Sequence, residues 1–466
     1  MANSLKSARH HILSTSQPLP GGVIVTEHEL HVPLNYFEGR GAAFDSTDIA
    51  LFVREIVKED KFGDEKVPFL LYLQGGPGFP SGRLAGAPSG WMKKALETFR
   101  VLLLDQRGTG RSTPATPQNL LSIGGKDGEK IAEYLKLFRA DSIINDCEVV
   151  REKIAKGKKF TIIGQSFGGF CNLTYLSMYP DAIERALFTC GLAPVGQDVT
   201  KVYEATFRRM EERNRRFYRR YPEDIELVRT LVAKLDKTPP KLPRGGTLTA
   251  RRFLQLGLLM GSADGLESLH NLLELSKVPG VPEGEYSELF LVAVENAQSA
   301  FETNPIYWLL HESIYCDGPG QASRWAAQRV LQSMTDSGKS GKWSYTNKLT
   351  AGSEPILFTG EMIFSWMRSD YKALQPLGDS AEILAACDDW PKLYNPENLK
   401  KSAAKCAALM SYDDIYVERD YSEATAAMLS NCRTWVSNEF QHSAVKDDGE
   451  RVFERLLAMT KGEIEY

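Results

Sequence analysis

Ser166 stands at the centre of a Gly-x-Ser-x-Gly pattern, which it forms with Gly164 and Gly168. Four strand-favouring residues, 160–163, come directly before the pattern, and a helical pattern follows from about residue 170 to 179. A tight turn between a strand and a helix exposes a serine hydroxyl, and the flanking glycines prevent collisions with neighbouring elements. The pattern predicts that Ser166 is the nucleophile of an acyl transfer. The alternative is a tight turn with an incidental serine.

A serine hydroxyl needs a base, because it is essentially un-ionised at neutral pH. Where a nucleophile occupies such a turn, the chain order is Ser, then Asp or Glu, then His, which leaves His270, His311 and His442. His270 lies in an amphipathic helical pattern, and His311 lies in a long helical stretch. His442 follows a predicted last strand at 433–437 and precedes a terminal helix, so we predict that His442 is the base.

The acid that orients the base should follow the preceding strand, which we predict at 405–412. Asp414 lies just beyond that strand, 28 residues before His442, with room for one helix and one strand between them. Its carboxylate would hold the imidazole tautomer and stabilise the imidazolium. Asp413 is a close alternative and Asp420 a weaker one.

The tetrahedral intermediate of acyl transfer needs two backbone N–H groups directed at its oxyanion. We predict that Phe167, the residue after the nucleophile, provides one donor, and that Gly76 in the Gly-Gly-Pro-Gly loop at 75–78 provides the other. A Gly-Pro turn without a catalytic role is the alternative. A phosphate-binding loop is excluded, because no Lys-Ser or Lys-Thr pair follows Gly78.

The elements around these residues predict a parallel sheet with helices on both faces. Near-continuous apolar runs, typical of buried parallel strands, alternate with helical patterns. The runs lie at 68–73, 100–104, 160–163 and 186–190, after an antiparallel pair at 28–34 and 49–57. From 197 to 397 the pattern is mostly helical, with one helix expected at about 286–304. We therefore predict a core formed by 1–196 and 398–466, interrupted by a helical cap at 197–397.

Composition and charge argue against several classes of protein. The 466 residues are 42% hydrophobic and 25% charged, with a formal net charge of −4, so no global field favours nucleic acid or an anionic membrane. Seven arginines lie between residues 208 and 220, but acidic residues interrupt them, so a solvated helix face is expected. No apolar run approaches the ~18 residues of a membrane span.

The cysteines and histidines predict a reduced compartment and no metal centre. Seven scattered cysteines without a Cys-x-x-Cys pair are typical of free thiols in a cytosolic enzyme. The first 18 residues are polar and lack the apolar segment of a secretory signal, so we expect a cytoplasmic protein. His28 and His31 are three residues apart, but a metal site needs further ligands, and exposed strand histidines are expected instead. The sequence predicts no oligomeric state.

Several segments together resemble the proline iminopeptidase (prolyl aminopeptidase) family of α/β-hydrolases, and especially its longer members. They run in family order from about residue 70 to 450. They are Gln-Gly-Gly-Pro-Gly at 74–78, Asp-Gln-Arg-Gly-Thr-Gly-Arg-Ser at 105–112, Gly-Gln-Ser-Phe-Gly-Gly at 164–169, Leu-Leu-His-Glu-Ser-Ile-Tyr-Cys at 309–316, Thr-Gly-Glu-Met at 359–362, Tyr-Asp-Asp-Ile-Tyr-Val at 412–417 and Asn-Glu-Phe-Gln-His at 438–442.

The resemblance implies an α/β-hydrolase fold and the release of an N-terminal proline from short peptides, without a metal or cofactor. Such an exopeptidase must recognise a charged imino group, which a carboxylate of the cap can bind by a charge-assisted hydrogen bond. Glu312 and Glu361 lie in family-like segments and are the candidates; ordinary ion pairs are the alternative. One residue departs from the family, which usually has His where this chain has Gln74.

The sequence leaves two alternative hypotheses about function. An esterase or amidase of the same fold would use the same triad, whereas an epoxide hydrolase would carry Asp in place of Ser166. A non-catalytic binding protein on a hydrolase scaffold usually lacks a triad member, and here all three candidates are present.

Overall fold

Within the residues that the structure describes, a ten-stranded mixed sheet forms the centre of the molecule. The computed structural model describes residues 10–13, 16–336 and 341–464. In chain order the strands are β1 (His10–Leu13), β2 (Gln17–Leu19), β3 (Val23–Pro33), β4 (Asp48–Lys58), β5 (Phe69–Leu73), β6 (Arg100–Asp105), β7 (Phe160–Gln165), β8 (Ile183–Thr189), β9 (Lys405–Ser411) and β10 (Cys432–Ser437).

The strand order is β1-β3-β4-β6-β5-β7-β8-β9-β10, with β2 paired to β3. Strand β3 pairs with β1, β2 and β4, and β4 also pairs with β6; all of these pairs are antiparallel. The pairing of β3 with β4 confirms the antiparallel pair predicted at 28–34 and 49–57. The pairs from β6 through β5 to β10 are all parallel. The loops after β5, β7, β9 and β10 therefore lie at the same edge of the sheet, and these loops carry the predicted site residues.

Twenty α-helices accompany the sheet in the described ranges. They are α1 (Gly90–Ala95), α2 (Pro117–Gly124), α3 (Gly128–Leu135), α4 (Ala140–Lys153), α5 (Phe167–Met178), α6 (Val199–Arg220), α7 (Asp224–Lys237), α8 (Ala250–Leu254), α9 (Gly265–Glu274), α10 (Glu288–Ala297), α11 (Ser299–Thr303), α12 (Ile306–Leu309), α13 (Ala326–Asp336), α14 (Tyr345–Ala351), α15 (Met367–Asp370), α16 (Gly378–Ala386), α17 (Pro396–Lys401), α18 (Arg419–Ala426), α19 (Ala444–Asp447) and α20 (Gly449–Lys461).

Both faces of the sheet are covered, as the apolar strands require. Successive side chains of a strand point to opposite faces. In β5, Leu71 and Leu73 join the large hydrophobic cluster that also includes α4 and α5. Leu70 and Tyr72 join a second cluster on the other face, which α1 and α20 cover. The parallel part of the sheet is thus enclosed between two helical layers.

A long helical stretch separates β8 from β9, and the described residues between 190 and 404 form no strand. This observation confirms the prediction that a mostly helical stretch interrupts the sheet. The stretch packs on the core near the elbow: the rings of Tyr315 and Phe170 lie 6.0 Å apart, and those of Tyr307 and Phe79 lie 5.1 Å apart. We refer to residues 197–397 as the cap and retain its boundaries as a prediction.

One predicted helix is wrong in its extent. The helix expected at about 286–304 is two helices, α10 and α11, separated at Gln298. The buried Gln298 side chain donates to the Arg252 carbonyl oxygen at 2.7 Å and accepts from the Arg252 guanidinium at 3.0 Å. These bonds fix the chain at the break. None of the helices in the described ranges combines the length and apolar character of a membrane span.

Candidate active site

Ser166 occupies the sharp turn between β7 and α5. Its backbone has φ 54° and ψ −126°, a conformation that non-glycine residues rarely adopt. The backbone N–H of Ser166 donates to the Thr189 carbonyl oxygen at 3.1 Å, and its own carbonyl oxygen accepts from the Gly169 N–H at 2.7 Å. The turn therefore has the strand–turn–helix form predicted from the Gly-x-Ser-x-Gly pattern.

The glycines around Ser166 allow three chain segments to meet closely. A Cβ atom at Gly168 would lie 1.9 Å from the Leu73 carbonyl oxygen, and one at Gly164 would lie 2.2 Å from the Gly168 carbonyl oxygen. At Gly191 a Cβ would lie 2.3 Å from the Ser166 carbonyl oxygen. All of these neighbours are backbone atoms, which cannot move aside cheaply, so the turn depends on glycine at these positions.

His442 and Asp414 form a buried pair. His442 Nδ1 and Asp414 Oδ2 lie 2.8 Å apart. The other carboxylate oxygen, Oδ1, accepts from the backbone N–H groups of Tyr416 at 2.8 Å and Val417 at 3.0 Å. The Asp414 carboxylate, 2% exposed, is held at both oxygens and can therefore fix the orientation of the imidazole.

The two alternative acids have other partners. Asp413 Oδ2 lies 2.7 Å from the guanidinium of Arg216, and Asp420 Oδ1 lies 2.8 Å from that of Arg419. Of the three candidates, Asp414 is the one hydrogen-bonded to His442.

The other candidate histidines lie in different settings. His270 Nδ1 lies 2.8 Å from Asp224 Oδ2, and its ring stacks on Tyr221 at a centroid distance of 3.9 Å. His311 is buried, and neither ring nitrogen has a hydrogen-bond partner within the described part of the chain. Burial lowers the pKa of His311 to about 3, so this imidazole is neutral at ordinary pH.

The His442 backbone is anchored from two sides. Its N–H donates to the carbonyl oxygen of Gly261 in the cap at 3.0 Å, and its carbonyl oxygen accepts from Gln165 Nε2 at 3.3 Å. Gln165 precedes Ser166, so it links the elbow to the histidine loop.

Among the described residues, the Ser166 hydroxyl makes no hydrogen bond to His442. Catalytic hydrogen bonds are often long without substrate and tighten when it binds.

The two predicted oxyanion donors lie beside the elbow. Phe167 is the first residue of α5, so its N–H has no acceptor within that helix. Gly76 has φ 132°, which favours glycine. A Cβ on the preceding Gly75 would lie 3.0 Å from the Ser166 Cβ, so this loop passes directly over the serine.

Glu361 lies in the cap within the electrostatic reach of His442. Its side chain is partly buried, and Oε1 accepts a hydrogen bond of 2.6 Å from the Tyr307 hydroxyl. Burial raises the pKa of Glu361 to about 7, while the His442 charge and the Tyr307 hydrogen bond oppose the shift. A carboxylate that titrates near neutral pH beside a candidate triad is typical of a functional group.

Glu312 is held elsewhere in the cap. Its two carboxylate oxygens accept from the backbone N–H groups of Ala326 at 2.9 Å and Ala327 at 3.0 Å, at the start of α13. The side chain is 2% exposed, and burial raises its pKa although these hydrogen bonds oppose the shift. The structure therefore brings Glu361 towards His442 and places the Glu312 carboxylate on a helix N-terminus.

Opposing effects set the protonation of His442. Burial lowers its pKa, but the charge and hydrogen bond of Asp414, together with the charge of Glu361, outweigh burial and leave the pKa above its ordinary value. The imidazole can thus accept a proton and hold it as imidazolium against the Asp414 carboxylate.

Cys190 is the third group of a cluster that has the composition of a metal site. Its sulfur, a carboxylate oxygen of Asp414 and a ring nitrogen of His442 all lie within 4.8 Å of one another. Burial, with a contribution from the Asp414 charge, raises the pKa of the Cys190 thiol to about 12. The thiol therefore stays protonated at neutral pH, next to the hydrogen-bonded pair of Asp414 and His442.

Three neighbours of the site were not predicted from the sequence. Tyr307 binds Glu361, Gly261 accepts from the His442 backbone, and the Tyr416 ring lies 4.8 Å from the His442 ring. Tyr416 lies two residues after Asp414, inside the segment already singled out, so its position was a usable signal. Nothing in the local sequence marks Gly261 or Tyr307.

Comparisons with known proteins identify the fold and the family of this chain. A family model described as alpha/beta hydrolase fold matches residues 68–232, which confirms the predicted fold. The proline iminopeptidase of Aeromonas sobria is 39% identical over 458 residues, covering 98% of this chain and all of that protein. The proline iminopeptidase aneH of Aspergillus aculeatus is 34% identical over 459 residues, covering 96% of each chain. With relatives this similar over nearly its whole length, the chain belongs to the proline iminopeptidase family.

Proposed function

We propose that this protein is a serine exopeptidase that releases N-terminal proline from short peptides. The observation that carries the proposal is the Asp414–His442 pair at the edge of the sheet where Ser166 lies, with the cap carboxylate Glu361 within electrostatic reach of both residues. The relatives' name, proline iminopeptidase, supports the same substrate class.

In the proposed reaction, Ser166 Oγ attacks the prolyl carbonyl carbon while His442 takes the hydroxyl proton. The N–H groups of Gly76 and Phe167 bind the oxyanion, and Asp414 stabilises the imidazolium. His442 then protonates the leaving amine as the C–N bond breaks, which leaves a prolyl ester on Ser166. Water, deprotonated by His442, hydrolyses the ester and releases proline.

Recognition of the free N-terminus is assigned to the cap. The substrate's imino group is cationic near neutral pH, and a partly desolvated carboxylate binds such a group by a charge-assisted hydrogen bond. Glu361 is the primary candidate, with the Tyr307 hydroxyl fixing its orientation at 2.6 Å. Glu312 remains the second candidate, but both of its oxygens already accept backbone hydrogen bonds.

We also propose that the protein acts in the cytoplasm on peptides and not on nucleic acid. All seven cysteines are free, and six of them are buried, which suits a reducing compartment. In the arginine-rich α6, Arg209, Arg216 and Arg220 each pair with an acidic side chain, at 2.6, 2.7 and 2.5 Å. These ion pairs reduce the positive charge available for phosphate groups.

The test compares proline naphthylamide with its N-acetyl derivative. We expect efficient release of naphthylamine from the compound with a free secondary amine and little from the acetylated compound, because acetylation removes the charge that Glu361 binds. Ser166→Ala should abolish the activity, and equal rates on both substrates would favour an esterase or amidase over an exopeptidase.

A further inference from the structure

A cleft of about 640 Å³ opens beside His442, between the core and the cap. This volume falls within the range of about 300–1,000 Å³ that small-ligand sites have. The walls that bear on the argument are formed by Tyr72, Trp91, Gln165, Leu258, His442 and Lys446. The cleft therefore borders the candidate base, and its other wall residues have no role yet in the proposed reaction.

The chemistry of acyl transfer indicates which part of the substrate the cleft can hold. His442 must protonate the departing nitrogen, so the part of the peptide after the scissile bond passes the imidazole. Glu361 and Tyr307, proposed to hold the prolyl end, do not line the described walls of the cleft. His442 thus lines the cleft while the residues proposed to hold the prolyl end do not, so the cleft is open to the part of the peptide that leaves past the imidazole.

Lys446 provides a cation in this cleft. Its side chain is exposed and makes no ion pair or hydrogen bond with any described residue. The adjacent Asp447 carboxylate accepts from the Ser443 hydroxyl at 2.6 Å. Hydrogen bonds from Ser262 and from its own backbone lower the pKa of Asp264, and the Lys446 charge makes a smaller contribution in the same direction. Lys446 therefore lies within electrostatic reach of the Asp264 carboxylate.

Aromatic and apolar side chains form much of the remaining wall. The rings of Tyr72 and Trp91 stack with a centroid distance of 4.9 Å and an interplanar angle of 23°. Leu258, Leu259 and Val445 extend this apolar surface, and Ser89, Ser262 and Ser443 also line the cleft. Such walls suit an apolar side chain, and the cation suits a carboxylate within a few residues of it.

We propose that the cleft is the site of the leaving peptide and that Lys446 binds its free C-terminal carboxylate. The inference rests on the proposed exopeptidase function and narrows its substrates to prolyl dipeptides and tripeptides. One or two residues follow the proline, with an apolar side chain against Tyr72 and Trp91. Peptides whose C-terminus is amidated lose the contact with Lys446.

The experiment measures kcat/KM for prolylphenylalanine and for its C-terminal amide. We expect the wild-type protein to favour the free acid by about three- to fivefold, which is the scale of an exposed ion pair. Lys446→Met should bring the acid-to-amide ratio close to one, and added salt should lower the wild-type ratio because it screens exposed charges. Lys66→Met is the matched control, since Lys66 is also exposed but precedes β5 at the opposite end of that strand.

Proline naphthylamide separates this inference from the proposed function, because it carries no carboxylate. Lys446→Met should hydrolyse it as fast as the wild type does. A wild-type protein that cleaves none of the three substrates would overturn the proposed function itself. Activity with an acid-to-amide ratio of one in the wild type, or a ratio that Lys446→Met leaves unchanged, would overturn the leaving-peptide site alone.

Discussion

At the scale of single residues, the Asp414 carboxylate divides its two oxygens between the backbone and His442. Oδ1 accepts two backbone N–H groups, and Oδ2 lies 2.8 Å from His442 Nδ1. Its neighbour Asp413 points to Arg216 instead. The two adjacent aspartates thus have different partners, and substituting each of them separately tests which one orients His442.

Asp414→Asn should lower kcat by about 10⁴-fold, because an amide favours the wrong imidazole tautomer while preserving the shape of the site. Asp413→Asn removes only a partly exposed ion pair with Arg216 and should leave kcat within about twofold. The measurement is kcat for proline naphthylamide in both variants, with circular dichroism to verify that each variant is folded. A larger loss in the Asp413 variant would contradict the assignment of the acid.

Glu361 predicts a pH dependence of substrate affinity. Burial raises its pKa to about 7, so the carboxylate is charged above that pH and takes up a proton below it. A cationic imino group binds the charged form, so KM for proline naphthylamide should rise as the pH falls through about 7. In Glu361→Gln, KM should be high at every pH, and the dependence around pH 7 should disappear. The same KM profile in both proteins would remove Glu361 from imino recognition.

Some of these residues were predictable and others were not, for a physical reason. Ser166 was predicted from a local pattern, because it lies directly after a mostly apolar strand, and His442 was predicted from chain order, because it lies in the loop after the last strand. Asp413 and Asp414 are neighbours in one loop, and only the fold decides which one faces the imidazole. Gly261 is 181 residues from His442, and their contact depends on how the cap packs.

At the scale of elements, the turn between β7 and α5 combines strain with close packing. Ser166 has φ 54° at the point where the Leu73 and Gly191 segments approach. The strained conformation persists because the surrounding backbone leaves no other path. The elbow therefore depends on the glycines around it as much as on the serine.

Gly168→Ala should lower both Tm and kcat, because its Cβ would lie 1.9 Å from the Leu73 carbonyl oxygen. Overpacking of this kind costs about 1–3 kcal/mol, and relief would displace Ser166. Gly86→Ala is the control, since a Cβ there would meet nothing within 4 Å. Thermal unfolding and kinetics of both variants test the argument, and a Gly168 variant with wild-type Tm and kcat would refute it.

The strands of the core were predictable from the sequence, but parts of the cap were not. Buried parallel strands are apolar throughout, and the runs at 68–73 and 160–163 correspond to β5 and β7. In α6 the arginine-rich run was expected to be a solvated face, yet Arg213 is buried and donates to the Met260 carbonyl oxygen at 2.9 Å. An arginine of a helix can pair with backbone groups far along the chain, and its local pattern does not reveal this.

At the scale of the whole molecule, the core supplies the proposed chemistry and the cap supplies the proposed selectivity. Ser166, Asp414 and His442 follow β7, β9 and β10 at one edge of the sheet. The cap brings Glu361 and Tyr307 to the same place, and its Gly261 carbonyl anchors His442. The cap boundaries at 196/197 and 397/398 remain a proposal, which places Gly261, Tyr307 and Glu361 in one domain.

The division of roles between core and cap is tested most directly by one ratio of kcat/KM values, that of proline naphthylamide to its N-acetyl derivative. We expect a large ratio in the wild-type protein and a fall of at least about 30-fold in Glu361→Gln, because a buried charged hydrogen bond contributes about 2 kcal/mol or more. Activity on the acetylated compound should change little in that variant. A wild-type ratio near one, or a ratio that Glu361→Gln leaves unchanged, would contradict the account.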